Sequence, residues 1–156
     1  MELERQSVAA LQQFGRTYRA YAAAFEQRLG LPLARWRILH ALHQQHDAIA
    51  QKALADRVGM DPGALTRQLK AMQELGWVER STSERDNRVT HVTLSQAGQE
   101  LVAQLMPVRS AFLEDVLAEV SAATMQDLSR GLAQLEAGIA HALARNAEMA
   151  EAADAG

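Results

Sequence analysis

The chain has 156 residues, 48% of them apolar, a formal net charge of −3 and no cysteine, so it has the length for one domain with a buried core. Without cysteine a disulfide framework, a thiolate zinc site and a thiol redox switch are excluded, and the composition suits a reducing cytosol. The opening Met1-Glu-Leu-Glu-Arg-Gln6 lacks the order of a secretory signal and no apolar run approaches the roughly 20 residues that span a bilayer, so a soluble cytoplasmic protein without a membrane partner is expected.

The spacing predicts a first helix from about Glu4 to Leu29, where Leu11, Phe14, Tyr18, Tyr21, Phe25 and Leu29 recur every three or four residues before Gly30 and Pro32 end it. A second, from Leu33 to about His43, turns Trp36, Leu39 and Leu42 inward and runs into a polar break at Gln44 to Asp47. Gln51 to Val58 reads as a short helix with Leu54 and Val58 on one face, and Gly59 as a tight turn. Asp61 is placed to cap the next helix, and Pro62 at its first position gives up no needed donor. That helix points Leu65, Leu69, Met72 and Leu75 to the core. After Gly76 the pattern becomes alternation, with Trp77-Val78 and Val89 to Leu94 as hairpin arms around the polar Ser81 to Arg88 segment. Ser95 is a candidate cap for a long helix with Leu101, Leu105, Val108, Phe112, Val116 and Val120 on one stripe and Pro107 inside it as a bend. Ser121 caps a last helix with Met125, Leu128, Leu132, Leu135, Ile139 and Leu143, and an alanine-rich tail from about Asn146 is expected to fray.

A helix-turn-helix followed at once by a charged hairpin is the order of a winged DNA-binding module. The fold class is therefore mainly α with a small β-hairpin wing: a winged helix-turn-helix with N- and C-terminal dimerisation helices. The chain reads as one domain, with 1–32 and 95–146 as the helical dimerisation region, 33–94 as the DNA-binding region and 147–156 as the tail. The outer helices carry apolar stripes that one small winged head cannot cover. A second copy of the chain is the economical cover, and a monomeric bundle the alternative.

Net acidity argues weakly against nucleic acid until the charges are located. Residues 1–91 hold 13 Lys and Arg against 10 Asp and Glu, and residues 92–156 hold 3 against 9. Cations therefore concentrate where the module lies, and an acidic tail remote from a duplex is tolerable. The second helix of the module leaves Gly63, Ala64, Thr66, Arg67 and Lys70 toward solvent or a groove. Arg67 can reach a guanine edge bidentately, Thr66 a base or phosphate, and Lys70 a phosphate. Taken singly, each reads more readily as a solvated helix face. The hairpin tip Glu84-Arg85-Asp86-Asn87-Arg88 adds two arginines that folding does not need and a minor groove does, with Asp86 placed to hold Arg88 extended. The plain alternative is an exposed Asp86–Arg88 ion pair worth about 0–1 kcal/mol.

Leu54-Ala-Asp-Arg-Val-Gly-Met-Asp61, Leu65-Thr-Arg67, Leu75-Gly-Trp-Val-Glu-Arg80, Asp86-Asn-Arg88 and Val92-Thr-Leu-Ser-Gln-Ala-Gly98 together resemble the MarR (multiple-antibiotic-resistance regulator) family. The resemblance covers about Leu31 to Leu105 in detail. It implies that the helix matching Pro62 to Leu75 enters a major groove, and that the arginine matching Arg88 enters the minor groove, steadied by the aspartate matching Asp86. Pro62, Gly63 and Ala64 depart from it, standing where many members carry hydroxyl or basic side chains, which shifts base reading toward Thr66, Arg67 and DNA shape.

Tyr18, Tyr21, Phe25, Trp36, Arg37 and His40 can line a cavity near Met106 and Phe112, or form ordinary core. The resemblance implies a small aromatic or phenolic anion there, with Tyr18, Tyr21, Trp36, Arg37, His40 and Phe112 as candidate effector residues. His40, His43 and His46 offer a rival, a zinc-responsive regulator, but a metal site needs three or four converging ligands and no histidine between Val92 and Ala140 completes one. No phosphate loop or Ser, His and acid grouping points to an enzyme, and no cofactor is expected. The expected function is a sequence-specific transcription regulator, a repressor released from an inverted-repeat operator by that effector. A metal-responsive regulator and a helical interaction protein that binds no DNA are the alternatives.

Overall fold

The computed structural model describes residues 2–45, 47–83 and 88–154. Helix α1 runs Glu2–Leu29 with Glu2 and Glu4 in its first turn and Arg28 in its last, charges that suit the helix dipole. Only its C-terminal part enters the core, through Phe25 and Leu29, while Leu3, Val8, Leu11, Phe14 and Tyr18 are exposed. Gly30, at φ 75°, turns the chain into α2 (Leu33–Gln44), whose inward face is Trp36, Ile38, Leu39, Ala41 and Leu42.

Strand β1 (Ile49–Ala50) leads directly into α3 (Gln51–Val58), and Gly59, left-handed at φ 59°, makes the turn toward α4 (Pro62–Glu74). The sheet continues with β2 (Val78–Thr82) and β3 (Thr90–Leu94), in the order β1-β3-β2. The hairpin pairs Val78 with Leu94 and Thr82 with Thr90, which turns Val78, Val92 and Leu94 to the core. The third strand, pairing Ile49 with Val92 and Ala50 with His91, was not anticipated. Two residues are too few for alternation to show.

Helix α5 (Gln96–Leu117) contains Pro107, and α6 (Ala122–Asp154) follows. Both expected serine caps form: Ser95 Oγ accepts from Gly98 N–H at 3.0 Å, and Ser121 Oγ from Thr124 N–H at 3.0 Å. The chain divides into two compact units, Met1–Leu113 and Glu114–Gly156. The core of the first gathers Phe25, Trp36, Leu39, Leu54, Leu65, Leu69, Met72, Val92, Val102 and Phe112.

Two sequence expectations are corrected. Leu75 is 50% exposed, because α4 closes at Glu74 and the chain leaves through left-handed Gly76 before another turn can carry Leu75 inward. On α5 the buried positions are Gly98, Val102 and Phe112, and Val116 and Val120 on the predicted stripe are exposed. Helix α6 continues beyond Asn146 to Asp154, over a stretch rich in alanine and glutamate, which favour helix. In α6 Met125, Leu128, Leu135, Ile139, Leu143 and Met149 are exposed, an apolar stripe at helical spacing.

Candidate nucleic-acid interface

Asp61 starts α4 sharply. Its carboxylate accepts from Ala64 N–H at 2.9 Å, its carbonyl accepts from Leu65 N–H at 2.9 Å, and Pro62 occupies the first turn. Leu65, Leu69 and Met72 anchor one face, which leaves Gly63, Thr66, Arg67 and Lys70 exposed and Ala64 half-buried on the other. A Cβ on Gly63 would stand 3.1 Å from the capping carboxylate and 3.7 Å from an Arg67 guanidinium nitrogen. Glycine here keeps the cap uncrowded. The Thr66 hydroxyl donates to Pro62 carbonyl at 2.8 Å and accepts from Gln51 Nε2 at 2.8 Å.

Two arginines fix α4 to its surroundings. Arg35 Nε donates to Gln68 Oε1 at 3.1 Å from α2, and Arg80 Nε to Gln73 Oε1 at 2.7 Å from the wing. Neutral partners leave both cations their full charge beside the exposed face of α4, which raises the local potential for a polyanion. Ser83 N–H donates to Val89 carbonyl at 2.9 Å and closes the base of the tip, and Arg88 is exposed where the chain enters β3. Arg85 and Asp86, and with them the expected Asp86–Arg88 pairing, lie outside the described residues. The ties made by Gln51, Gln68 and Gln73 were missed from sequence, since nothing in the spacing of a glutamine marks it as a partner across elements.

The aromatic candidates do not form one set. Tyr18 is exposed and stacks on Phe14 at 6.2 Å. Phe25 meets Tyr21, Trp36 and Phe112 at ring-centre distances of 6.1, 6.2 and 5.7 Å, and Tyr21 also meets Phe112 at 5.6 Å. His40 stacks on Trp36 at 5.6 Å. Arg37 is not part of this cluster: its guanidinium donates to Val58 carbonyl at the end of α3. The cation over the Trp36 ring is Arg109 of α5, 5.9 Å from the ring centre. Arg37 follows Trp36 by one residue and so lies about 100° around the helix from it, whereas Arg109 precedes Phe112 by three and shares its face.

Burial, then the charge of Arg109 and then that of His43, hold His40 below the ordinary imidazole value of 6.5. Burial raises the Tyr21 phenol, with Arg109 opposing. The folded protein takes up the His40 proton at lower pH than the unfolded chain does. The stability this residue contributes is therefore complete above about pH 6.5 and is lost as pH falls from there through the folded value. Urea midpoints at pH 7.5 and 5 should fall less for His40→Gln than for wild type, and equal falls would rule the effect out. His43 is exposed and lines a separate 310 Å³ cleft with Gln45, Thr93 and Gln99, and His46 is not among the described residues. Among the described residues no group of three or more His, Asp or Glu is gathered to hold a metal ion. None of their helices is long and apolar enough to cross a membrane.

A capped helix with an open polar face, packed behind a short helix and flanked by a three-stranded wing, defines a winged helix-turn-helix domain. Residues 29–89 match a family model described as MarR family. Over 98 residues it is 35% identical to YdgJ of Bacillus subtilis (strain 168), an uncharacterized HTH-type transcriptional regulator; the match spans 63% of this chain and 59% of that relative. The fold is similar to a mutant MarR from E. coli complexed with operator DNA, at TM-score 0.74 and 20% identity over 83% of this chain and 95% of that one. It is also similar to a probable transcriptional regulator from Pseudomonas aeruginosa, at TM-score 0.68 and 24% identity over 78% of this chain and 92% of that one.

Proposed function

We propose that the protein is a sequence-specific DNA-binding transcription regulator without enzyme activity, a homodimer that represses from an inverted-repeat operator and is released by a small aromatic or phenolic anion. The observation that carries this reading is the face of α4: small, hydroxyl and cationic side chains opposite a buried apolar face, with cationic Arg88 beside it on the wing. The MarR-family match supports the same reading, and one structurally similar relative was complexed with operator DNA. The exposed apolar stripes of α1 and of α6 support the homodimer, because a second copy of the chain can cover such stripes. Cationic Arg109 and hydrogen-bonding His40 and Tyr21, beside aromatic rings, support an aromatic anion as effector.

Selection of binding sites from random duplexes, followed by titration at several salt concentrations, tests the reading. A dimer should protect two half-sites about one helical turn apart, with affinity that falls steeply as salt rises. Binding that is absent, or indifferent to salt, would overturn it. On the selected duplex Arg67→Ala should cost about 1–3 kcal/mol and relax base preference, whereas Lys70→Ala should act through the salt slope. Arg88→Ala should cost a similar amount, about 1–3 kcal/mol, in DNA binding. Wild-type affinity in the Arg88 variant would remove the wing from the interface.

A further inference from the structure

Base reading by α4 leaves unexplained the cleft between the start of that helix and the base of the wing. It encloses about 550 Å³, lined among others by Gln51, Lys52, Pro62, Leu65, Arg88 and Thr90. A helix in a major groove and a wing in the neighbouring minor groove are separated by one sugar-phosphate strand. That strand passes from groove to groove across the surface between α4 and the wing, which is where this cleft opens.

The hydrogen bonds around the cleft say which groups can meet it. A hydroxyl has one proton, and Thr66 gives its own to the Pro62 carbonyl, so it has none for a phosphate oxygen or a base acceptor. Its partner Gln51 is better placed. One amide N–H is donated to Thr66, and the second N–H and the carbonyl oxygen make no further hydrogen bond among the described residues. Lys52, the next residue, is exposed on the same cleft.

We propose that this cleft is a seat for a DNA backbone phosphodiester, in which Lys52 supplies the charge while Gln51 holds Thr66 with one amide N–H and donates the other to the phosphate. The seat rests on the DNA-binding reading above. It makes Gln51 a positioning residue: contact with the backbone fixes the side chain that fixes Thr66, so phosphate register and base preference are coupled through one amide.

The test uses the full-length protein and a duplex it has selected, with a single methylphosphonate walked through the phosphates between the two grooves. Wild type must first show salt-sensitive binding to the unmodified duplex, and failure there overturns the DNA-binding reading itself. Given that binding, Lys52→Ala should lower the salt slope by about one. Gln51→Ala should weaken binding about tenfold, the scale of one hydrogen bond to a charged group. At one phosphate position the methylphosphonate should erase most of both penalties. Gln51→Glu keeps the size but sets a carboxylate against the phosphate, so it should bind more weakly than Gln51→Ala with an unchanged melting temperature. Thr66→Val, which keeps the shape without the hydroxyl, should make Gln51→Ala nearly silent in base preference. The seat is overturned if the variants bind like wild type, if Gln51→Glu binds as well as Gln51→Ala, or if the penalties persist on every methylphosphonate duplex.

Discussion

Gly98→Ala should destabilise the protein by about 3 kcal/mol, the upper range for forcing a methyl group into a packed site. A Cβ at this position would stand 2.0 Å from the Trp77 carbonyl oxygen and 3.0 Å from its carbonyl carbon. Neither atom can yield as the end of a flexible side chain could. The same carbonyl accepts from Ser95 N–H at 3.1 Å, the Ser95 hydroxyl donates to Gly76 carbonyl, and Ser95 Oγ caps α5 through Gly98 N–H. Any retreat from the new methyl therefore breaks the knot that joins the end of α4, the start of the wing and the start of α5. Ser95→Ala, which removes the cap without a clash, should cost about 1 kcal/mol. Urea unfolding monitored by helix signal separates the two. If Gly98→Ala melted with wild type, the close approach of α5 to the wing would not exist in solution.

Where a local rule has one physical solution, the sequence was readable. Asp61 followed by Pro62 can cap a helix and begin it, and both residues do so. Ser95 and Ser121 cap their helices for the same reason. Gly76 closes α4 with Trp77 N–H on Met72 carbonyl at 2.9 Å, a termination that a left-handed glycine permits. What sequence did not show depended on partners distant in sequence. Arg37 was grouped with the aromatic residues as a hydrogen-bonding cation, but it follows Trp36 by one residue, so the two turn to different faces and Arg37 meets the Val58 carbonyl. The cation that reaches Trp36 comes from Arg109, on another helix, and only packing of α2 against α5 reveals it. The glutamine ties of Gln51, Gln68 and Gln73 are invisible for the same reason: each amide could equally have met water. The apolar stripes of α1 and α6 were legible as stripes, and their exposure is what supports the proposed homodimer.

Salicylate or a similar small aromatic anion should raise the melting temperature and weaken operator binding about a hundredfold, which needs roughly 2.7 kcal/mol of coupling between the two sites. The groups to receive it sit on three helices: Tyr21 on α1, His40 on α2 and Arg109 on α5. Phe25, Trp36 and Phe112 are buried behind them, so the anion meets a cation and hydrogen-bonding groups at the edge of an aromatic core and does not have to open it. Helix α5 begins at the Ser95 knot beneath the wing, and a ligand that draws Arg109 away from the Trp36 ring changes how α5 lies on α2. That displacement reaches the wing base along α5, and the differential contact at Arg109 is what lets the ligand favour one arrangement. Arg109→Ala and His40→Ala should blunt both the rise in melting temperature and the loss of DNA affinity while leaving unliganded DNA binding near wild type. Arg37→Ala should act differently, lowering stability through the lost bond to the end of α3 while keeping the response to ligand. A panel of aromatic anions that changed neither quantity, with zinc changing both, would replace the anion site by a histidine one.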